Sequence, residues 1–515
     1  MKKTALISLC DMNNFGLRTL FSVLNKQGVE VDLLFFKKGN LNSTINKPTK
    51  KEIDFLVGFI KNKGYEVVGI GTRSSIFSLA KEIALKLKKL EKSPIIVFGG
   101  VQTTLDPEKS LKYCDIACVG EGEKAILNIC SGKELRDIKN IFYKFKGEII
   151  KNKVGIVECD LDKIPFPDFS DKNKYYFRGE KVVKLKIKEY KTGYSLMTSR
   201  GCPFDCTYCC NNVLRKIYNK PYLRRRSVEN VMQELKQAKE SFPNLLSVSF
   251  ADDVFTFDKE WIKEFAVRYK EEINLPFFCY VHPKMCSEEE IRLLKEAGLS
   301  NANIGIQTFS KRIQKLYNRN GENKDILTAI INLKKYNVPI TIDIIMDNPI
   351  ETEYDLKATL NWLLKIPSPF ILNTHTLTYF PKTDLTELFI NKSLIKKEDV
   401  EDELEKGWTR WSPSLDLRRN KLNLFYDCLY YLTKLRFRSE KLIRKIQRSK
   451  YFRENPEKLA KIIKPFSFDV LSLDWNSKKD RTKYLIFKGF KELKDNGIKA
   501  LFLKMKRQKK TPNIF

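Results

Sequence analysis

Before its midpoint the chain reads Ser199-Arg200-Gly201-Cys202-Pro203-Phe204-Asp205-Cys206-Thr207-Tyr208-Cys209-Cys210. Three thiols at Cys-x3-Cys-x2-Cys in one loop suit a single iron–sulfur cube, because thiolates are its preferred ligands and short spacers let one loop reach three corners. Three ligands for four irons leave one iron open, and an open position is what separates a catalytic metal site from a closed structural one. A zinc knuckle is the other reading, with Cys210 as the fourth ligand it wants, although adjacent cysteines rarely serve one tetrahedral ion. The remaining composition narrows the chemistry. Twelve cysteines without a secretory leader point to a reducing compartment and to metal or catalytic thiols. Only two histidines, His282 and His375, nearly remove His-based zinc sites and Ser-His triads.

The loop follows a strand, and on both sides of it short apolar runs alternate with helical patterns, which is the signature of a parallel sheet covered by helices. Downstream, strands are expected at 194–198, 246–250, 277–281, 303–306, 340–345 and 371–378, six βα units that make an incomplete barrel over residues 191–400. Upstream, residues 1–135 carry strands at 5–9, 29–36, 67–71, 94–98 and 115–119, with a first helix ending at Gly28. Several of these strands end in glycine, as in Gly69-Ile70-Gly71 and Phe98-Gly99-Gly100. In an open parallel sheet the loops at the carboxyl ends line the ligand crevice. No Gly-x-Gly-x-x-Gly or P-loop pattern occurs, so a dinucleotide or nucleoside triphosphate is not the favoured ligand. Residues 136–190 read as a connector with a hairpin near Lys146-Gly147-Glu148 and an extended stretch at Pro165-Phe166-Pro167.

Residues 401–515 form a basic, mostly helical C-terminal region. Lysine and arginine number 95 against 63 acids over the 515 residues, a net charge of +32. From Asp416 onward, 28 basic and 10 acidic residues carry +18 of it. Such an excess favours polyanions, unless lysine richness is a compositional habit. Leu422, Phe425, Leu429, Leu432 and Leu435 make one apolar stripe, which fits a helix packed on the barrel or one lying on an anionic membrane surface. Nucleic acid is not an expected partner, because no RNA-binding module or stacking platform is legible. No run of about 20 apolar residues occurs. The expected location is cytoplasmic, with the basic region as the means of any membrane association.

On the cysteine triplet and the segments after it, the chain resembles the radical S-adenosylmethionine (SAM) family over most of its length. The resemblance implies a [4Fe-4S] cluster held by Cys202, Cys206 and Cys209, with the open iron chelated by SAM, and cleavage of SAM to a 5′-deoxyadenosyl radical. It also places Tyr208 near adenine and Asp252 and Asp253 at the SAM amino group. Gln307, after Gly305-Ile306, falls at the ribose or methionyl part, and Asp343 with Met346 to Thr352 resembles the fifth-strand signature.

The first domain resembles the Rossmann-like cobalamin (B12)-binding domain fused to one branch of that family. The resemblance rests on Gly99-Gly100-Val101-Gln102-Thr103-Thr104, on Gly120-Glu121-Gly122 and on the connector Asp160 to Asp168. Gly99, Gly100, Gly120, Glu121 and Gly122 are its expected cofactor contacts. Mutase-type domains carry Asp-x-His-x-x-Gly after the first strand; here Asp11-Met12-Asn13-Asn14-Phe15-Gly16 sets Asn13 where the cobalt-ligating histidine would stand. An amide is a poor cobalt ligand beside imidazole, so cobalamin is expected without a protein histidine on its lower face. A domain that has lost its corrin is the alternative.

The function expected from the resemblance is methyl transfer to an unactivated carbon through methylcobalamin and the 5′-deoxyadenosyl radical. Carbon–carbon bond formation or ring rearrangement on a lipid, isoprenoid or other small molecule is the first alternative, and RNA modification the second. The partners implied are a small-molecule substrate and an electron donor such as a flavodoxin or ferredoxin. No side chain is singled out as catalytic.

Overall fold

The structure is a computed structural model that describes residues 1–37, 47–184, 192–218, 222–319, 321–406, 415–435 and 438–463. Residues 464–515 of the expected basic helical region lie outside them. The chain divides into two compact units, one of Met1–Gly305, Gln314–Val338 and Thr378–Trp411, the other of Ile306–Ile313, Pro339–Leu377 and Ser412–Phe515.

The first unit opens with a parallel sheet. Its strands are β1 (Thr4–Leu9), β2 (Val31–Phe36), β3 (Val67–Gly71), β4 (Ile95–Gly99) and β5 (Ile116–Cys118). They stand in the order β5-β4-β3-β1-β2. That is the flavodoxin-like doubly wound order, whose switch point lies between β1 and β3. β1 and β2 are buried along their whole lengths, as strands covered on both faces must be. Ile7, Leu34, Val68 and Ile70 pack under helices Lys50–Lys63 and Phe77–Leu87, while Leu6, Leu33, Val67 and Val97 pack under Phe15–Lys26 and Glu123–Cys130. Helix Phe15–Lys26 is capped by the Asn14 side chain at the Leu17 N–H and stops before Gly28, as its sequence predicts.

The stretch expected as a connector instead extends this sheet. β6 (Ile141–Phe145) and β7 (Glu148–Lys151) form the hairpin expected around Lys146-Gly147 and join antiparallel to β5. At the other edge β8 (Lys174–Phe177) runs parallel to β2, followed by β9 (Val182–Lys184). Asp168 binds the buried Lys174 ammonium at 3.0 Å and gives its carbonyl to Arg18, whose guanidinium lies between the Phe35 and Phe169 rings. β8 pairs with β2, more than a hundred residues away along the chain, which leaves no local pattern, and the two prolines read only as an extended chain.

A second parallel set follows in the same unit: β10 (Gly193–Leu196), the short β11 (Ser199–Arg200) and β12 (Arg224–Arg225), then β13 (Ser247–Phe250), β14 (Phe277–Val281) and β15 (Leu299–Gln307). β10, β13, β14 and β15 are parallel neighbours, while β11 and β12 form an antiparallel ribbon. β15 passes from the first unit into the second after Gly305. The second unit holds the parallel pair β16 (Ile340–Met346) and β17 (Ile371–Thr376). The six expected downstream strands are therefore all present, with ends shifted by a few residues.

In the second unit helix Lys421–Thr433 is buried from Asn423 to Thr433 and packs on Glu353–Leu363 and Pro456–Ile463. Its apolar stripe is used in packing, and Leu422 and Leu435 at its ends are only half-buried. Among the described residues no helix is long and apolar enough to cross a membrane.

Candidate functional site

The cysteine loop is closed at its neck by the β11–β12 ribbon, in which Arg200 faces Arg224 and Ser199 faces Arg225. Gly201 takes φ +92, and a Cβ there would stand 2.6 Å from the Tyr222 carbonyl oxygen, so the chain passes the neck only as glycine. Behind the loop, fully buried Asp252 at the end of β13 accepts hydrogen bonds from the Thr198 N–H and hydroxyl, both 2.9 Å, and from the Ser199 hydroxyl. Arg215, in the helix Cys210–Tyr218 that leaves the loop, donates to the Cys202 and Phe204 carbonyls. Asn212 bonds Asp205 at 2.8 Å and Asp384 at 2.9 Å. The Thr207 N–H and hydroxyl are held by the Tyr317 and Leu316 carbonyls at 3.1 and 2.8 Å. The loop is thus fixed by partners from four other segments.

Within it the thiols differ. Burial pushes Cys202 up to about 12, helped by the charges of Asp253, Cys206 and Cys209. Burial also raises Cys206, against the opposing Arg319 guanidinium. A hydrogen bond from Cys210 holds Cys209 below its ordinary value, while the same bond pushes the Cys210 thiol well up. Cys210 begins the helix Cys210–Tyr218 that leaves the loop. Among the described residues no three His, Cys, Asp or Glu side chains converge on a single metal-ion position, the loop thiols included. Three thiols on one fixed loop are the donor set that suits three corners of a [4Fe-4S] cluster.

Arg319 is the residue the sequence reading missed. Its Nη1 lies 3.7 Å from the Cys206 sulfur and 3.3 Å from the Tyr208 hydroxyl, and Nη2 donates to the Gly305 carbonyl. Tyr208 packs edge-on to Tyr317, ring centres 4.9 Å apart. His282 stacks on Phe204 with centroids 3.6 Å apart, and burial beside Arg319 and Lys284 lowers it to about 2, so it is neutral. Its Nδ1 accepts from the Lys284 N–H, which marks a packed ring and not an acid.

Of the two adjacent acids, Asp252 holds the loop and Asp253 faces the thiols, with one carboxylate oxygen taking the Asn211 amide at 3.0 Å. Asp252 positions the loop through one oxygen, which serves three donors, and its other oxygen is buried with no hydrogen-bond partner among the described residues. The three consecutive arginines Arg224, Arg225 and Arg226 each have separate partners. Arg224 pairs Glu121, Arg225 stacks over Trp261 at 3.9 Å and donates to the Phe255 carbonyl, and Arg226 pairs Glu234. The Glu121 carboxylate binds Arg224 at 2.6 Å and Arg200 at 3.1 Å, which leaves its backbone facing the sheet edge.

In the first sheet, Asn13 is exposed in the loop after β1, its N–H on the Asp11 carboxylate at 2.9 Å. Gly99 ends β4, Gly100 precedes helix Val101–Leu105, and Gly120 and Gly122 lie between β5 and Glu123–Cys130. These segments gather at the carboxyl ends of β1, β4 and β5, the edge at which open parallel sheets bind ligands. Fully buried Gln102 offers its Oε1 to Ser74, and its Nε2 finds no partner among the described residues. An orphaned donor and a glycine-lined edge fit a large ligand with many acceptors.

In the second unit Gln307 adopts φ +71 at the end of β15. Asp343 on β16 accepts from Asn373 at 2.9 Å and lies 3.5 Å from His375 Nε2. Asp347 is tied to Arg419, Asn423 and Thr376.

The comparisons agree with this geometry. The family model for the B12 binding domain matches residues 8–129, and that for the radical SAM superfamily matches 196–363. The chain belongs to the cobalamin-binding radical SAM family. Among relatives in this family, a protein of Pyrococcus horikoshii named an uncharacterized methyltransferase is 27% identical over 346 residues, 65% of this chain and 72% of that one. The cytidylyl-2-hydroxyethylphosphonate methyltransferase of Streptomyces wedmorensis is 26% identical over 350 residues, 58% of this chain and 62% of that one. Two solved family structures share the fold. The cobalamin-dependent radical enzyme OxsB, with aqua-cobalamin and SAM bound, aligns at TM-score 0.64 and 16% identity over 97% of this chain and 76% of its own. The radical SAM methyltransferase TsrM of Kitasatospora setae, with tryptophan and a SAM analogue bound, aligns at 0.60 and 15% identity over 76% of each chain. This protein is accordingly a radical SAM enzyme with a B12-binding domain.

Proposed function

We propose that the enzyme transfers a methyl group from SAM to an unactivated carbon of a small molecule. The observation that carries this reading is that one compact unit holds both the three-thiol loop, with Arg319 against Cys206, and the glycine-lined edge of a flavodoxin-like sheet. When bound, the [4Fe-4S] cluster supplies the electron that splits SAM into methionine and the 5′-deoxyadenosyl radical, and cobalamin supplies the methyl carrier.

The chain's own groups then have these roles. Cys202, Cys206 and Cys209 hold the cluster, and the Asp252 clamp keeps their loop in place. Arg319 would take the SAM carboxylate, since its guanidinium lies 3.7 Å from the Cys206 sulfur and is a bidentate donor. Asp253, facing the thiols, takes the amino group. Tyr208 lends its ring to adenine, and Gln307 and Asp343 are the candidates for the ribose and methionyl parts. Gly99, Gly100, Gly120 and Gly122 would let a corrin approach the backbone, and Asn13, an amide in the loop after β1, would be a poor ligand for cobalt. A flavodoxin or ferredoxin delivers the electron, one at a time.

The test is anaerobic turnover of cluster- and cobalamin-loaded protein with reductant, methyl-labelled SAM and a small-molecule extract. Equal S-adenosylhomocysteine and 5′-deoxyadenosine, with label in a small molecule, is the expected result. 5′-Deoxyadenosine without S-adenosylhomocysteine would assign the enzyme to carbon coupling or ring rearrangement instead.

A further inference from the structure

The β11–β12 ribbon sets two cations face to face, Arg200 opposite Arg224, at the neck of the cysteine loop. Like charges directly opposite each other open an antiparallel pair. What closes this one comes from the other cofactor's side of the unit. Glu121 Oε1 reaches both, Arg224 Nη2 at 2.6 Å and Arg200 Nη1 at 3.1 Å, and Glu123 binds Arg200 Nη2 at 2.7 Å. The Arg224 side chain is only 5% exposed and that of Glu121 16%, so solvent and salt screen this network weakly. Arg224 also donates to the Glu158 carbonyl at 2.5 Å.

The exit of the cysteine loop meets the same segment. Helix Cys210–Tyr218 packs on Val101–Leu105, which follows Gly99 and Gly100, and ends with the Tyr218 hydroxyl against Gly120. Gly120 has φ +83, and a Cβ there would lie 2.2 Å from the Tyr218 oxygen, so this contact requires glycine. The Glu121 backbone amide bonds the Tyr218 hydroxyl. Four residues, Gly120 to Glu123, therefore touch both the entry and the exit of the loop that carries the three thiols.

We propose that the Gly120–Glu123 segment is a coupling element, through which occupation of the cobalamin edge and closure of the cluster loop each favour the other. This rests on the cofactor assignment above. A ligand seated on the Gly120 and Gly122 backbone fixes where the Glu121 and Glu123 carboxylates stand, and those carboxylates decide whether the paired arginines hold the neck closed. Coupling of this kind is reciprocal, so it is read from either cofactor.

The experiment titrates hydroxocobalamin into the full-length protein by absorbance, once without the cluster and once with cluster and SAM loaded. The wild-type dissociation constants should differ by about fivefold or more, the lower end of ordinary site-to-site coupling. In Glu121→Gln combined with Glu123→Gln the ratio should fall below about twofold. Tyr218→Phe, which removes one hydroxyl and keeps the fold, should lower the ratio part of the way. A wild-type ratio near one, or a ratio unchanged in both variants, overturns the coupling while leaving the cofactor assignment standing. Failure of the wild type to bind cobalamin in either form overturns both.

Discussion

Arg319 reaches across the cysteine loop to set its Nη1 3.7 Å from the Cys206 sulfur and 3.3 Å from the Tyr208 hydroxyl. A guanidinium in this position draws a carboxylate toward the open corner of a cluster in bidentate fashion. Arg319→Gln should therefore weaken SAM binding by about 1.5–3 kcal/mol, roughly tenfold or more in dissociation constant, with iron and sulfide content retained. Arg319→Lys should recover only part of the loss, because an ammonium lacks the planar fork. SAM titration of reduced, cluster-loaded protein, followed by the change in its EPR signal, measures this. Unaltered affinity in the glutamine variant would remove Arg319 from the SAM site.

Asp252 and Asp253 are neighbours with opposite duties, and substitution should separate them. Asp252→Ala strips the Thr198 N–H, the Thr198 hydroxyl and the Ser199 hydroxyl of one shared acceptor in a fully buried place. A loss of about 3 kcal/mol in unfolding free energy is expected, the cost of leaving buried donors unpaired. Asp253→Asn, exposed and holding a single amide, should stay within about 0.5 kcal/mol of wild type while weakening SAM binding. Denaturant unfolding gives the first comparison, and SAM titration the second. Equal stability losses would make both acids structural.

What the sequence disclosed of this arrangement was local. The thiol spacing, the strand-to-glycine endings and the six downstream strands are each written within a dozen residues, so periodicity and turn chemistry suffice to find them. Arg319 lies 111 residues from Tyr208 along the chain, and no spacing rule connects them. The same holds for Glu121 with Arg224, 103 residues apart. The run Arg224-Arg225-Arg226 likewise carries no sign of its partners in its own spacing, and each member finds a different one. The apolar stripe of Lys421–Thr433 points to a packed helix, and the structure extends the buried surface to nearly all of its faces.

Asn13 leads to a spectroscopic expectation. With no histidine among residues 1–281 and an exposed amide in the loop after β1, cobalt in the bound cofactor should lack a strong protein ligand on its lower face. The EPR spectrum of bound cob(II)alamin should then show no splitting from an axial protein nitrogen. Asn13→His should introduce that splitting if the loop lies at the lower face. A nitrogen-split spectrum in the wild type would place another ligand on cobalt.

The second unit carries a pH dependence of its own. Glu351 sits with Asp355 and Asp347, and burial followed by those two charges raises its carboxyl to about 8, against the weaker pull of Arg312. Its Oε2 has no hydrogen-bond partner among the described residues. The unfolded chain would titrate this group near 4.3, about the ordinary glutamate value. Between that pH and about 8 the native state binds the extra proton, so stability falls as pH rises through the window, by at most about 1.36 kcal/mol per unit. Below the window both states are protonated and no difference remains. Glu351→Gln has the shape of the protonated acid without its ionisation, so the variant should match wild type in acid and melt progressively higher than wild type as pH approaches 8. Thermal melts of the two proteins across that range decide it. A gap that stays constant with pH would mean that Glu351 is ionised and solvated in the native protein.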